Sequence, residues 1–262
     1  MKPILHIFSI VFLTIITQIG GVIYLITLLL VRNKEGRRTK RMFTFSAIYL
    51  FSTFLIVPYV APMFGREKIR DTEAVKAHSF VYKLANRNYV TPTLNATLQK
   101  IGDDFSKRFP GSTLVYLDAN FPFFDRFPLL PHLSHNDGKK VDVSLIYQTK
   151  DGQLTNKKPS VSGYGVFEAP KKGEYDQIAI CKKKNWFYDF PKYLTFGTIN
   201  NGIEFSAKGT RELLRVISKQ SAIGKIFLEP HLKNRLNLTN QKVRFHGCRA
   251  VRHDDHIHIQ LR

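Results

Sequence analysis

Residues 4–31 contain no charged side chain, and His6, Gln18 and a few Ser and Thr are the main polar interruptions of an apolar run. That length exceeds the roughly 20 residues a helix needs to cross a bilayer. A second uncharged run, residues 42–64, is rich in Phe, Ile, Leu and Tyr, with Pro58 and Pro62 near its end, where a closing helix tolerates a missing N–H. The expectation is a helical hairpin anchor over residues 1–65, built from two transmembrane helices at about 4–31 and 42–64. A cleavable signal peptide is the alternative for the first run, but the stretch is long and no small-residue cleavage site follows it.

The linker 32–41 carries six basic residues and one acid. Short loops rich in Lys and Arg stay cytoplasmic, so both termini are expected outside, and residues 66–262 form an extracytoplasmic domain. Arg66, Lys68 and Arg70 add positive charge on that outer side. The expected location is the inner membrane, multi-pass, with the domain facing the periplasm.

Within 66–262, Thr91-Pro92 reads as a helix start, followed by Leu94, Leu98, Ile101 and Phe105 at helical spacing and stopped before Pro110-Gly111. Residues 113–118, 143–147, 163–167 and 225–228 read as strands. Thr210 is expected to cap a helix to about Gln220 with Leu213, Leu214, Val216 and Ile217 on its buried face. The fold class is α+β, an antiparallel sheet with flanking helices. The phenylalanines 121, 123, 124 and 127 either line a groove or pack their loop against the core.

The chemistry lies in two histidine-bearing segments. In His256-Ile257-His258-Ile259-Gln260-Leu261, period-2 geometry puts His256 and His258 on one face and the apolar residues on the other. Segment 140–146 alternates likewise, with Asp142 opposite Val141 and Val143 in facing. If the two pair, Asp142 and His258 can converge on one ion. Two His and one Asp suit zinc with its fourth position open to water. Cys181 and Cys248 are the only cysteines, too few for a four-thiolate site; they pair in an oxidising compartment or stay buried as thiols.

His132, His135, Gly138 and Asp142 form H-x-x-H-x-x-G-x-x-x-D, and His253-Asp254-Asp255-His256-Ile257-His258 follows near the carboxyl end. Together they resemble the LAS metallopeptidases, most closely the penicillin-insensitive murein endopeptidases, over residues 110–262. The resemblance implies one Zn²⁺ per chain on His135, Asp142 and His258. It also implies active-site roles for His256, His253 and His132, and a peptidoglycan peptide as substrate. Relatives outside this branch carry a glutamate where this chain has Asp255, and Lys139 and Lys140 replace residues that are more often apolar or acidic. His256 is the expected proton acceptor. His253 either stabilises the oxyanion, protonates the leaving amine or caps the strand, and Asp254 and Asp255 are either partners of a histidine or a solvated turn.

The net charge of +20 suits cell-wall polymers and anionic lipids and equally nucleic acid. The basic residues are dispersed, without a recognition helix or zinc knuckle, and no nucleic-acid partner is expected. A metal-dependent nuclease would call for a second set of carboxylates. The expected function is a membrane-anchored zinc hydrolase of a murein cross-link amide, a metallopeptidase; the alternative is a non-catalytic cell-envelope binding or scaffold protein that retains the fold.

Overall fold

The computed structural model describes residues 2–32 and 36–262; Asn33, Lys34 and Glu35 of the basic linker, on which the topology expectation partly rests, lie outside the described residues. The fold is mixed α+β, with sheets and flanking helices. The chain divides into two compact units, one of Met1–Ile69, Phe80–Pro92 and Ala119–Lys139, the other of Arg70–Ser79, Thr93–Asp118 and Lys140–Arg262.

In the first unit the leading apolar run is not one helix. It forms α1 (Lys2–Thr17) and α2 (Gly20–Leu30), broken at Gln18, whose φ is +66°. Hydropathy predicts a single span because it registers apolar content and not backbone handedness. The two helices pack against each other through Gly21, where an added Cβ would lie 1.9 Å from Thr14 Oγ1 and 2.4 Å from the Ile10 carbonyl oxygen. Only glycine permits that approach. Further along the pair, Tyr24 reaches back to His6, Oη to Nδ1 at 2.9 Å. The second run belongs to α3, a continuous helical stretch Arg37–Phe64 that is the one described helix long and apolar enough to cross a membrane. It begins ahead of the apolar residues, in the basic linker. A π turn at Ser52–Ile56 precedes Pro58 and a 3₁₀ turn at Ala61–Phe64 contains Pro62, so each proline falls where the regular ladder is already interrupted. Gly65, with φ +70°, ends the stretch.

The eleven strands of the described residues are β1 (Glu67–Lys68), β2 (Val75–Ala77), β3 (Tyr89–Val90), β4 (Leu114–Tyr116), β5 (Lys140–Ser144), β6 (Tyr147–Thr149), β7 (Leu154–Thr155), β8 (Ile203–Phe205), β9 (Ile223–Phe227), β10 (Val243–Arg244) and β11 (His256–Leu261). β1 and β3 pair in the first unit. The second unit is organised by a six-stranded sheet of order β10-β9-β11-β5-β4-β2. The sheet is antiparallel from β9 through β11 and β5 to β4, but both edge strands run parallel to their neighbours, which corrects the purely antiparallel expectation. A three-stranded sheet β7-β6-β8 accompanies it.

The predicted helices are Pro92–Arg108 and Ala207–Lys219. The second starts before Thr210, because Ser206 caps it by accepting from Gly209 N–H, while the buried Thr210 Oγ1 accepts from Ile146 N–H. Residues 163–167 are not a strand: Gly163 and Gly165 hold φ of +85° and +81°, and the segment is a turn-rich loop. Cys181 and Cys248 form a disulfide that ties the helix Gln177–Lys184 to the loop before β11.

Candidate metal centre

β11 pairs with β5 so that His258 stands opposite Asp142, Ile257 opposite Val143 and His256 opposite Ser144. Val141, Val143, Ile257 and Ile259 are fully buried on the apolar side of the ladder. One period-2 pattern therefore fixes the core and aims the chemical groups: a slip of one residue would put both histidines into the core. His258 Nδ1 lies 2.9 Å from Asp142 Oδ1.

His135 lies in an irregular segment, buried, with Nδ1 2.7 Å from the Ala119 carbonyl oxygen. Donation from Nδ1–H fixes the tautomer that presents Nε2 as a ligand atom. His135, Asp142 and His258 each offer one ligand atom, all within 4.8 Å of one another and all buried. Donors about 2.0–2.2 Å from a tetrahedral ion are themselves separated by about 3.4 Å, so small side-chain adjustments suffice. Two imidazole nitrogens and a carboxylate oxygen suit a first-row divalent metal, zinc among them. This group can hold a metal ion.

Asp142 is held by more than its strand. Tyr164 Oη donates to Asp142 Oδ2 at 2.8 Å and accepts from Asp118 N–H at 3.1 Å, and the tyrosine ring packs edge-on to His256 at 5.0 Å. His256 Nε2 lies 3.7 Å from Asp142 Oδ2, and Nδ1 lies 2.5 Å from Asp255 Oδ1. Burial disfavours the His256 cation, but Asp142 and Asp255 outweigh it and raise the pKa to about 9. A metal cation on Asp142 would offset the larger of the two attractions. Asp255 is fixed on its far side by Gly165 N–H at 2.6 Å, and its other oxygen holds the His256 ring at Nδ1.

The His253 ring lies 4.9 Å from His256 and 5.8 Å from His258 between centroids. Burial, with His256 and His258 nearby, pushes its pKa well below the usual imidazole value and keeps it neutral. Its backbone is pinned by Glu229, whose Oε1 accepts from His253 N–H at 3.0 Å and from Tyr188 Oη at 2.6 Å. Asp254 faces elsewhere, accepting from Arg252 Nε at 2.7 Å, while Arg252 Nη1 reaches Asp189 at 2.9 Å and the guanidinium covers Phe167. Asp254 is a buried ion-pair partner of Arg252, 3.6 Å from His231 Nε2, and not part of a solvated turn. His132 is buried, its ring 5.5 Å from that of His135, and adds no atom to the donor group.

Sequence reasoning missed Tyr164, Glu229, Arg252 and His246, the last packed edge-on to Phe227 at 4.3 Å and 5.5 Å from His253. A Tyr in a Gly-rich loop carries no local signal of its destination. Comparison with known protein families gives no match for this chain, and no curated protein matches it.

Proposed function

We propose that this chain is a membrane-anchored, zinc-dependent peptidoglycan hydrolase that cleaves an amide bond in murein cross-links. The observation that carries the reading is the buried His135–Asp142–His258 donor set with a fourth imidazole, His256, beside it and aligned by Asp255. A structural zinc site would close its fourth position with protein and would have no use for a proton carrier at that distance. The resemblance of both motifs to the murein endopeptidases supplies the substrate class.

Zinc held by His135, Asp142 and His258 would polarise the scissile carbonyl and acidify a water molecule. The protein does the rest. His256 accepts the proton at Nε2, with Asp255 holding Nδ1–H and thereby the tautomer. Neutral His253 donates a hydrogen bond to the oxygen that gains charge, and its position is set by Glu229 through the backbone. Tyr164, donating to Oδ2, fixes the orientation of the Asp142 carboxylate that would hold the metal. α3 anchors the chain, with the basic linker cytoplasmic and the hydrolytic groups on the periplasmic side. Murein exists only there.

The test is zinc content and mass spectrometry of muropeptides released from purified sacculi by the full-length protein in detergent. One zinc per chain and cleavage at a cross-link amide are expected. Stoichiometric zinc with sacculus binding and no cleavage would favour an envelope-binding protein instead.

A further inference from the structure

Residues 119–139, which carry His132 and His135, contain no helix or strand, so the His135 imidazole is positioned in part by contacts from outside the segment. Residues 87–91 brace the segment, with Arg87 Nη2 donating to the Leu130 carbonyl and Thr91 N–H to the Gly138 carbonyl, each at 2.8 Å, and further supports come from the amino-terminal helices and the residue that follows them. Arg66 follows the end of α3 and is 2 % exposed. Its Nη1 donates to the Phe121 carbonyl at 2.7 Å and its Nη2 pairs with Asp125. The same side chain lies under Gly138, where a Cβ would meet Arg66 Nε at 2.6 Å. One buried guanidinium thus touches the segment on both sides of the two histidines. At the α1–α2 break, Gln18 Oε1 accepts from Phe123 N–H at 3.0 Å. Phe64, at the end of α3, packs against the rings of Phe123 and Phe124 at 5.0 and 5.5 Å. Burying an arginine is costly unless its donors are satisfied, so this contact is a specific brace.

We propose that Arg66 and Gln18 are positioning residues for the metal centre: the amino-terminal helices form the seat on which the His135 segment is set, and they are part of the site as well as its anchor. The inference rests on the functional reading for what the segment does, and on the contacts alone for what holds it.

The test uses the full chain in detergent micelles, comparing wild type with Arg66→Met, Arg66→Lys and Gln18→Asn. Asn tolerates the positive φ at position 18 but is too short to reach Phe123. Zinc affinity by chelator competition, the visible spectrum of the Co²⁺ form, thermal midpoint and amide exchange across 121–138 are measured. Expected are an affinity about 10–100-fold weaker for Arg66→Met, an altered Co²⁺ spectrum, partial recovery in Arg66→Lys, and faster exchange confined to 121–138. Affinity, spectrum and exchange equal to wild type in Arg66→Met and Gln18→Asn overturn the brace. If Arg66→Met does not fold, Arg66→Lys and Gln18→Asn carry the same comparison. Should wild type bind no zinc, the functional reading fails while the exchange data still decide the brace.

Discussion

Tyr164→Phe removes one oxygen and leaves the ring in place, which makes it a clean probe of how the carboxylate is held. That oxygen donates to Asp142 Oδ2 at 2.8 Å and accepts from Asp118 N–H at 3.1 Å, both buried. A hydrogen bond to a charged group contributes about 1.5–3 kcal/mol, and an orphaned buried N–H costs about 1–3 kcal/mol. Some of this returns through local relaxation, so a net destabilisation of about 2 kcal/mol is expected in the metal-free protein. For a folded region of this size that corresponds to a midpoint lower by roughly 4–8 °C. Asp142 then has one fewer group fixing its orientation, and loss of such a partner typically weakens metal binding about 10–100-fold. Competition with a chelator of known affinity reads the second effect and differential scanning calorimetry the first. Zinc affinity within twofold of wild type would refute the claim that Tyr164 orients the carboxylate, whatever the midpoint does.

His258→Ala removes a ligand and should abolish stoichiometric zinc, checked by elemental analysis; one tightly held zinc per variant chain would refute the donor assignment. His256→Ala should keep zinc and fold while losing about 10²–10⁴-fold in hydrolysis, read by muropeptide release against zinc content. The unreduced, denatured protein should show no free thiol, since Cys181 and Cys248 are bridged, and a titrating reagent settles this directly. Lys158 is fully buried and burial pushes its amine down to about 7, against about 10.4 unfolded. Between those values the unfolded chain binds the extra proton, so stability should rise with pH from about 7 to 10. Thermal midpoints across that range should flatten in Lys158→Met; an equally steep rise in the variant would exclude Lys158 as the source.

The legible part of this molecule was the part written in a period. Alternation in 140–146 and 256–261 predicted two strands, and their pairing puts Asp142 opposite His258. The stripe of Leu94, Leu98, Ile101 and Phe105 likewise belongs to one helix. What failed to show was set by single backbone or side-chain events. The reversal at Gln18 depends on one left-handed residue and a close approach at Gly21, neither of which changes the hydropathy of the run. The loop 163–167 looked like a strand because its Tyr, Val and Phe are strand formers, whereas its glycines dictate the conformation. Tyr164 and Arg66 reach their partners, Asp142 and Phe121, from distant positions in the chain, and no spacing rule connects them.

Under the proposed membrane anchoring, the doubling back of α1 onto α2 changes how compartments are counted along the chain. α2 returns toward the end of α1 that holds His6, and α3 sets out beside it, with Arg41 Nε bonded to the Val31 carbonyl at 3.2 Å. Where α3 is the sole crossing, the number of passes is odd. The amino terminus then shares a side with Arg37, Arg38 and Arg41, and everything beyond Gly65 lies across the membrane from it. Epitopes at the two ends of the chain would report opposite faces, in place of the shared face that two full crossings would give.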